Sequence, residues 1–127
     1  MTQLKFAILD EQFTIHRFDA AATIPLDQLD GFFTVSRTAD ELSIVCDSTI
    51  QLPSDKMASN WSCLQITGTL DFSLTGILAG VATTLADAGV SIFAISTFDT
   101  DYILIKTAKL PVAIDALRAA GHTFREK

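Results

Sequence analysis

Basic residues are scarce in this chain and nowhere clustered: nine Lys and Arg stand against fifteen Asp and Glu, a net charge of −6 over 127 residues. A surface that tracks a phosphate backbone needs a stripe of Lys and Arg, so nucleic acid is not an expected partner. Cysteine is limited to Cys46 and Cys63. Their spacing fits neither a redox pair nor a zinc knuckle, and each is expected to be a small buried hydrophobe. Long apolar runs are missing as well, since none approaches the roughly 18–20 residues that a spanning helix requires. The opening Met1-Thr2-Gln3-Leu4-Lys5-Phe6 leads straight into alternating sequence, without the basic, apolar and small-residue order of a secretory leader. A soluble, cytoplasmic chain without membrane contact is the expectation.

Catalytic constellations are equally thin. The two histidines, His16 inside a strand-like segment and His122 directly after a helix end, have no Ser or Cys in a nucleophile-elbow context and no carboxylates at metal-ligand spacing. Both read as structural or surface residues. The expectation is a chain that is not an enzyme and carries no metal or cofactor.

What is present in quantity is apolar sequence, 49% of residues with a mean hydropathy of +0.37. That is more than one small core consumes, and it points to further burial between sub-domains or subunits. A break at residues 53–60, rich in turn formers, separates two halves, read as units 1–58 and 60–127. In the second half residues 61–67 alternate as a strand. Leu74, Ile77, Leu78, Val81, Ala82, Leu85 and Ala88 then share one helical face, with Ser73 or Thr75 to cap its start and Gly89 to end it. Residues 90–97 are apolar on both faces and read as a strand covered on two sides. Phe98-Asp99-Thr100-Asp101 is a turn, residues 102–107 a strand, and Pro111 opens a second helix that Gly121 ends before a short strand at 122–125. The order is βαββαβ. The first half offers strands at 4–9, 13–18, 32–37 and 42–46, with at most a short helix at 24–29.

The βαββαβ order invites three comparisons. Acylphosphatases need an arginine in a phosphate-cradling loop, yet residues 70–76 contain no basic residue, and ferredoxins need cluster cysteines. RNA-recognition domains stack bases on strand aromatics, for which Trp61, Phe93 and Tyr102 are available, but the acidic turn beside them would repel phosphate. What remains is the glycine-opened helix start at Gly76 and the turn carrying Asp99 and Asp101. A helix N-terminus suits a carboxylate and two aspartates suit an ammonium, which together match an amino-acid zwitterion. Ordinary packing explains the same residues as a helix start and a solvated turn, and pattern alone leaves both readings open.

The segments Leu70-Asp71-Phe72-Ser73-Leu74-Thr75-Gly76-Ile77-Leu78-Ala79, Leu85-Ala86-Asp87-Ala88-Gly89-Val90-Ser91-Ile92-Phe93 and Ile95-Ser96-Thr97-Phe98-Asp99-Thr100-Asp101-Tyr102-Ile103-Leu104 closely resemble the ACT domain. The likeness is to small tandem-ACT proteins related to cytosolic arginine sensors and to aspartate kinase regulatory regions, and residues 33–46 share it. The resemblance implies an α+β fold of two ferredoxin-like units, the first with reduced helical content, that bind a small amino acid at the seam between units. It implies backbone donors at Gly76 and Ile77, backbone groups at Thr97 and Phe98, carboxylates at Asp99 and Asp101, and wall residues at Val35 and Ser36. It further implies a regulatory, allosteric role, a regulated protein partner and a homodimer; a structural dimerisation module without ligand is the alternative.

Overall fold

Among residues 3–67 and 76–125, the part this computed structural model describes, the alternating segments become eight strands and the helical periods two α-helices. Two compact units result, one of residues 11–61 and one that joins residues up to 10 with those from 62 onward. This differs from a division of the chain into consecutive halves.

In the unit 11–61, strand β2 (Phe13–Phe18) pairs antiparallel with β4 (Leu42–Asp47), and β4 with β3 (Thr34–Arg37). The other edge of β2 takes the first residues of β5 (Lys56–Ile66). Period-2 alternation sends Phe18, Leu42, Ile44 and Cys46 to one face, where Leu29 and Leu52 complete a core. No α-helix occurs here among the described residues; the short helix expected at 24–29 is one 3₁₀ turn, Leu26–Gln28.

The break expected at 53–60 is mostly strand. β5 begins at Lys56, five residues before the expected start at Trp61. Its register against β2 slips between Phe13↔Trp61 and Ile15↔Ala58, so three steps on β5 oppose two on β2. Asn60 takes the extra step in a left-handed conformation, φ 70°. A β-bulge at a residue that tolerates positive φ therefore carries a turn-like composition inside a strand.

In the other unit the expected βαββαβ order is present: residues 62–66 of β5, α1 (Ile77–Asp87), β6 (Ile92–Ser96), β7 (Asp101–Lys106), α2 (Leu110–Ala119) and β8 (Thr123–Phe124). An additional strand, β1 (Lys5–Ile8), lies between β5 and β8, antiparallel to the first and parallel to the second. The strand order is β6-β7-β5-β1-β8. Helices and sheet share one core, with Val81 and Leu85 of α1, Ala113 and Leu117 of α2, and Phe6, Leu64, Ile66, Ile103 and Ile105 of the strands. β6 departs from expectation: it pairs only with β7 among the described residues and its side chains are half-buried or exposed. Its apolar character on both faces thus belongs to a sheet edge. The proposed caps Ser73 and Thr75, and Leu74 as the helix's first apolar position, lie outside the described residues.

α1 ends as the sequence predicts. Gly89, at φ 77°, donates its N–H to Ala86 O at 3.0 Å, and Val90 N–H reaches back to Leu85 O at 2.9 Å. This is the paired closure of a Schellman motif, with the buried Val90 and Leu85 supplying its apolar contact. Both cysteines are buried thiols outside any disulfide, and burial raises the Cys46 thiol pKa, with a smaller contribution from Asp47.

Both histidines are buried and hydrogen-bonded through Nδ1. His122, 3% exposed, accepts the Leu4 N–H on Nδ1 at 3.0 Å and meets Phe6 edge-on at 5.7 Å. His16, 2% exposed, pairs Nδ1 with the Ser54 hydroxyl at 2.8 Å. Burial lowers both pKa values below the ordinary 6.5.

Two outcomes follow for stability. A lowered folded-state pKa means that the unfolded chain binds more protons below 6.5, so stability is full above that pH and declines as pH falls below it. Urea midpoints taken between about pH 7 and about pH 5.5 are expected to fall. The slope should be shallower in His122→Asn, whose amide oxygen can replace Nδ1 as acceptor; an unaltered slope would refute His122's share. In Gly89→Ala a Cβ meets no atom within 4 Å, so the expected loss, about 1 kcal/mol, comes from the backbone alone. Gly89→Asn should lose less, and equal thermal melts for Gly89→Ala and the parent would contradict this account.

Candidate functional site

Four of the eight residues singled out by sequence share the β6–β7 hairpin. The hairpin register pairs Ser96 with Asp101, which leaves residues 97–100 as the connection. Thr97 closes it twice: its N–H donates to Thr100 O at 2.8 Å and its hydroxyl to the same oxygen at 3.0 Å. The Thr97 N–H is therefore spent within the turn. Phe98 and Asp99 stand at the tip, Phe98 with 81% of its surface exposed and Asp99 exposed.

Asp101 is set differently. It is half-buried at the first position of β7, and its Oδ1 accepts the Ser96 hydroxyl across the register pair. A carboxylate accepts through both oxygens, so this bond does not exhaust its capacity.

Thr100 fixes the hairpin to its neighbour. Only 6% exposed, it donates its hydroxyl to Ile66 O, the end of β5, at 2.8 Å. At the other end of the same strand pair, the hydroxyls of Ser62 and Thr107 meet at 2.9 Å. Ile66 is the last residue of β5, so the acidic turn is tied to the end of that strand. Sequence reasoning missed Thr100 and Ser96 because both look like ordinary turn polar residues. The only signal for Thr100 was its place between two aspartates, which does not reveal burial.

Gly76 and Ile77 form the helix start in the same unit. Gly76 occupies the N-cap position in the left-handed region, φ 78° and ψ 1°, without a side-chain cap, and its carbonyl accepts Gly80 N–H at 2.8 Å. Glycine takes this conformation without a Cβ penalty and offers no side chain of its own to the first-turn N–H groups. Ile77 is half-buried and packs on the core of that unit. Val35 and Ser36 belong to the other unit, exposed on β3, where they pair with Ile44 and Ser43. Among the described residues no three His, Cys, Asp or Glu side chains gather as metal ligands, and no helix is long and apolar enough to cross a membrane. The helix start offers N–H donors suited to an anion, and the hairpin offers carboxylates suited to a cation.

Comparison with known proteins places these elements. The chain is 32% identical over 121 residues to the cytosolic arginine sensor for mTORC1 subunit 1 of Pongo abelii, covering 87% of this chain and 37% of that protein. The human protein of the same name is 32% identical over 108 residues, and 33% of it is covered. The chain thus spans little more than a third of these relatives. Among solved structures, protein Atu0741 of Agrobacterium tumefaciens superposes with a TM-score of 0.90 at 36% identity, covering 100% of this chain and 96% of that one. The regulatory subunit of aspartate kinase from Thermus thermophilus shares the fold, with a TM-score of 0.67 at 10% identity over 91% of this chain and 96% of that one. A profile described as an N-terminal domain matches residues 11–55, and the ACT domain profile matches residues 56–119. The ACT match takes in half the chain and covers both helices and the hairpin, so the chain belongs to the ACT domain family.

Proposed function

We propose that this chain is a non-catalytic cytoplasmic regulatory protein that binds a small amino acid at the Gly76 helix start and the 97–101 hairpin. The observation that carries the reading is Asp101, a carboxylate oriented by Ser96 on a hairpin whose turn is anchored through Thr100 to Ile66. Its geometry is set before any ligand arrives, which lowers the ordering cost of binding. The α-carboxylate sits at the N–H groups of Gly76 and Ile77, and Asp101, with Asp99 beside it, takes the ammonium or a cationic side chain. The backbone at Thr97 and Phe98 borders the ligand, and Val35 and Ser36 are candidates for its far wall when ACT units associate. Similarity to proteins named arginine sensors makes L-arginine the first ligand to try. Occupancy would be passed to a protein partner through preference for one arrangement of units.

A second reading rests on β6. Its run Ile92-Phe93-Ala94-Ile95-Ser96 has no charge, and one of its edges is unpaired among the described residues, which suits antiparallel addition of a second copy. Under that reading the fold serves homodimerisation alone.

Thermal melts and calorimetry with the common amino acids separate the two. At a concentration one hundred times Kd, a ligand adds about 2.7 kcal/mol of stability, a shift of several degrees. Asp101→Ala should abolish that shift while changing the unliganded stability by no more than about 1 kcal/mol. If no common amino acid produces heat or a shift at millimolar concentration, the sensor reading fails. If, in addition, Ala94→Lys converts a dimer to a monomer, the dimerisation reading replaces it.

A further inference from the structure

The unit of residues 11–61 contains a cavity of about 490 Å³, within the size range of small-molecule sites and distant in character from the acidic hairpin. Its polar wall is a chain of neutral hydroxyls. Thr14 Oγ1 meets Ser48 Oγ at 2.8 Å and donates to Ser59 Oγ at 3.3 Å, and Asn60 lines the same cavity. Ile50, Leu52 and Met57 give it an apolar side. None of the side chains that line it is charged.

His16 is part of the same wall. Its Nδ1 is taken by Ser54, which is not, while Nε2 is shielded from bulk water and has no partner. A buried polar nitrogen left unsatisfied is costly, and a ligand group that reaches it recovers that cost. A hydroxyl serves either tautomer of the ring, because it both donates and accepts. An ion finds no countercharge among the lining side chains. The walls are also fixed in advance: Ser48 N–H holds Gln12 O at 2.9 Å, Ile50 N–H holds Asp47 O at 3.0 Å and Ser54 N–H holds Leu52 O at 2.9 Å.

We propose that this cavity is a second binding site, specific for a small neutral molecule that carries hydroxyl or carboxamide groups on an apolar frame. The site does not depend on the amino-acid reading above. Its test is a titration of the full ¹⁵N-labelled chain with uridine, myo-inositol and nicotinamide, with L-arginine and citrate as charged controls, followed through backbone amides and imidazole nitrogens. Saturable shifts at Thr14, Ser48, Ser59 and His16 with at least one neutral probe are expected, with affinity lowered about tenfold in Thr14→Val. Valine keeps the shape and strand preference of threonine; should that variant lose its native spectrum, Ser48→Ala, at an exposed position, carries the comparison. The proposal is overturned if no neutral probe moves these signals at millimolar concentration. It is equally overturned if the charged controls move them as strongly, or if affinity is unchanged in the variants. Arginine at the hairpin moves residues 97–101 instead, so failure of either site is seen separately.

Discussion

Pairing of β1 with residues 64–66 on one side and residues 123–124 on the other decides how the C-terminal unit is assembled. An isolated β5-α1-β6-β7-α2-β8 segment would leave Phe6 out of the core and β8 without its partner. The chain's first strand must therefore return to the sheet after most of the chain has been made. Its junction is closed by three bonds of different kinds: Leu4 N–H on the His122 ring, Thr123 N–H on Leu4 O, and Arg125 N–H on Phe6 O at 2.7 Å. Phe6 stacks on Phe124 with centroids 5.5 Å apart, so the same strand contributes apolar area as well as hydrogen bonds. Such long-range closure is slow to find and cooperative once found. It also explains why His122 is buried: its ring is part of the junction.

The sheet order that results carries the hairpin to one edge. β7 is the neighbour of β5 and β6 lies beyond it, so the 97–100 turn extends from the end of the sheet where β5 leads to α1. One hydroxyl, that of Thr100, converts this neighbourhood into a fixed contact. Without it the turn, still closed on itself by Thr97, would lose its tie to β5, and positioning it would then carry an entropic cost.

Elements with a strong period were legible in the sequence and those shaped by pairing were not. The α1 stripe, the Gly89 terminus and the β6-turn-β7 order could be read because side-chain spacing and glycine chemistry are local signals. Lys56 to Asn60 could not, since a bulge at Asn60 breaks the alternation and imitates a turn. The place of β1 could not either, because alternation identifies a strand but not its neighbours. β6 was read as buried from an apolar run; the run is real, but burial depends on what lies across the edge. At the candidate site, Gly76 and the aspartates stood out by residue type. Thr100 and Ser96 act through position alone, and the polar cavity around Thr14 draws on three separated segments with no motif between them.

Exposure sets a limit on what the hairpin can do by itself. Gly76, Thr97, Phe98 and Asp99 are exposed and Asp101 is half-buried, so a cation there remains close to water. Opposite charges about 4 Å apart gain only about 1 kcal/mol in bulk water, against about 4 kcal/mol at the lower effective dielectric of a partly covered site. The proposed site thus gains most of its affinity when a second surface covers the ligand. Covering also gives the apolar Phe98 tip a place to be buried. Ligand binding and covering then strengthen each other by the same factor, because coupling between two binding events is reciprocal. A site too open to hold an amino acid tightly alone is, for that reason, one whose occupancy a partner can read.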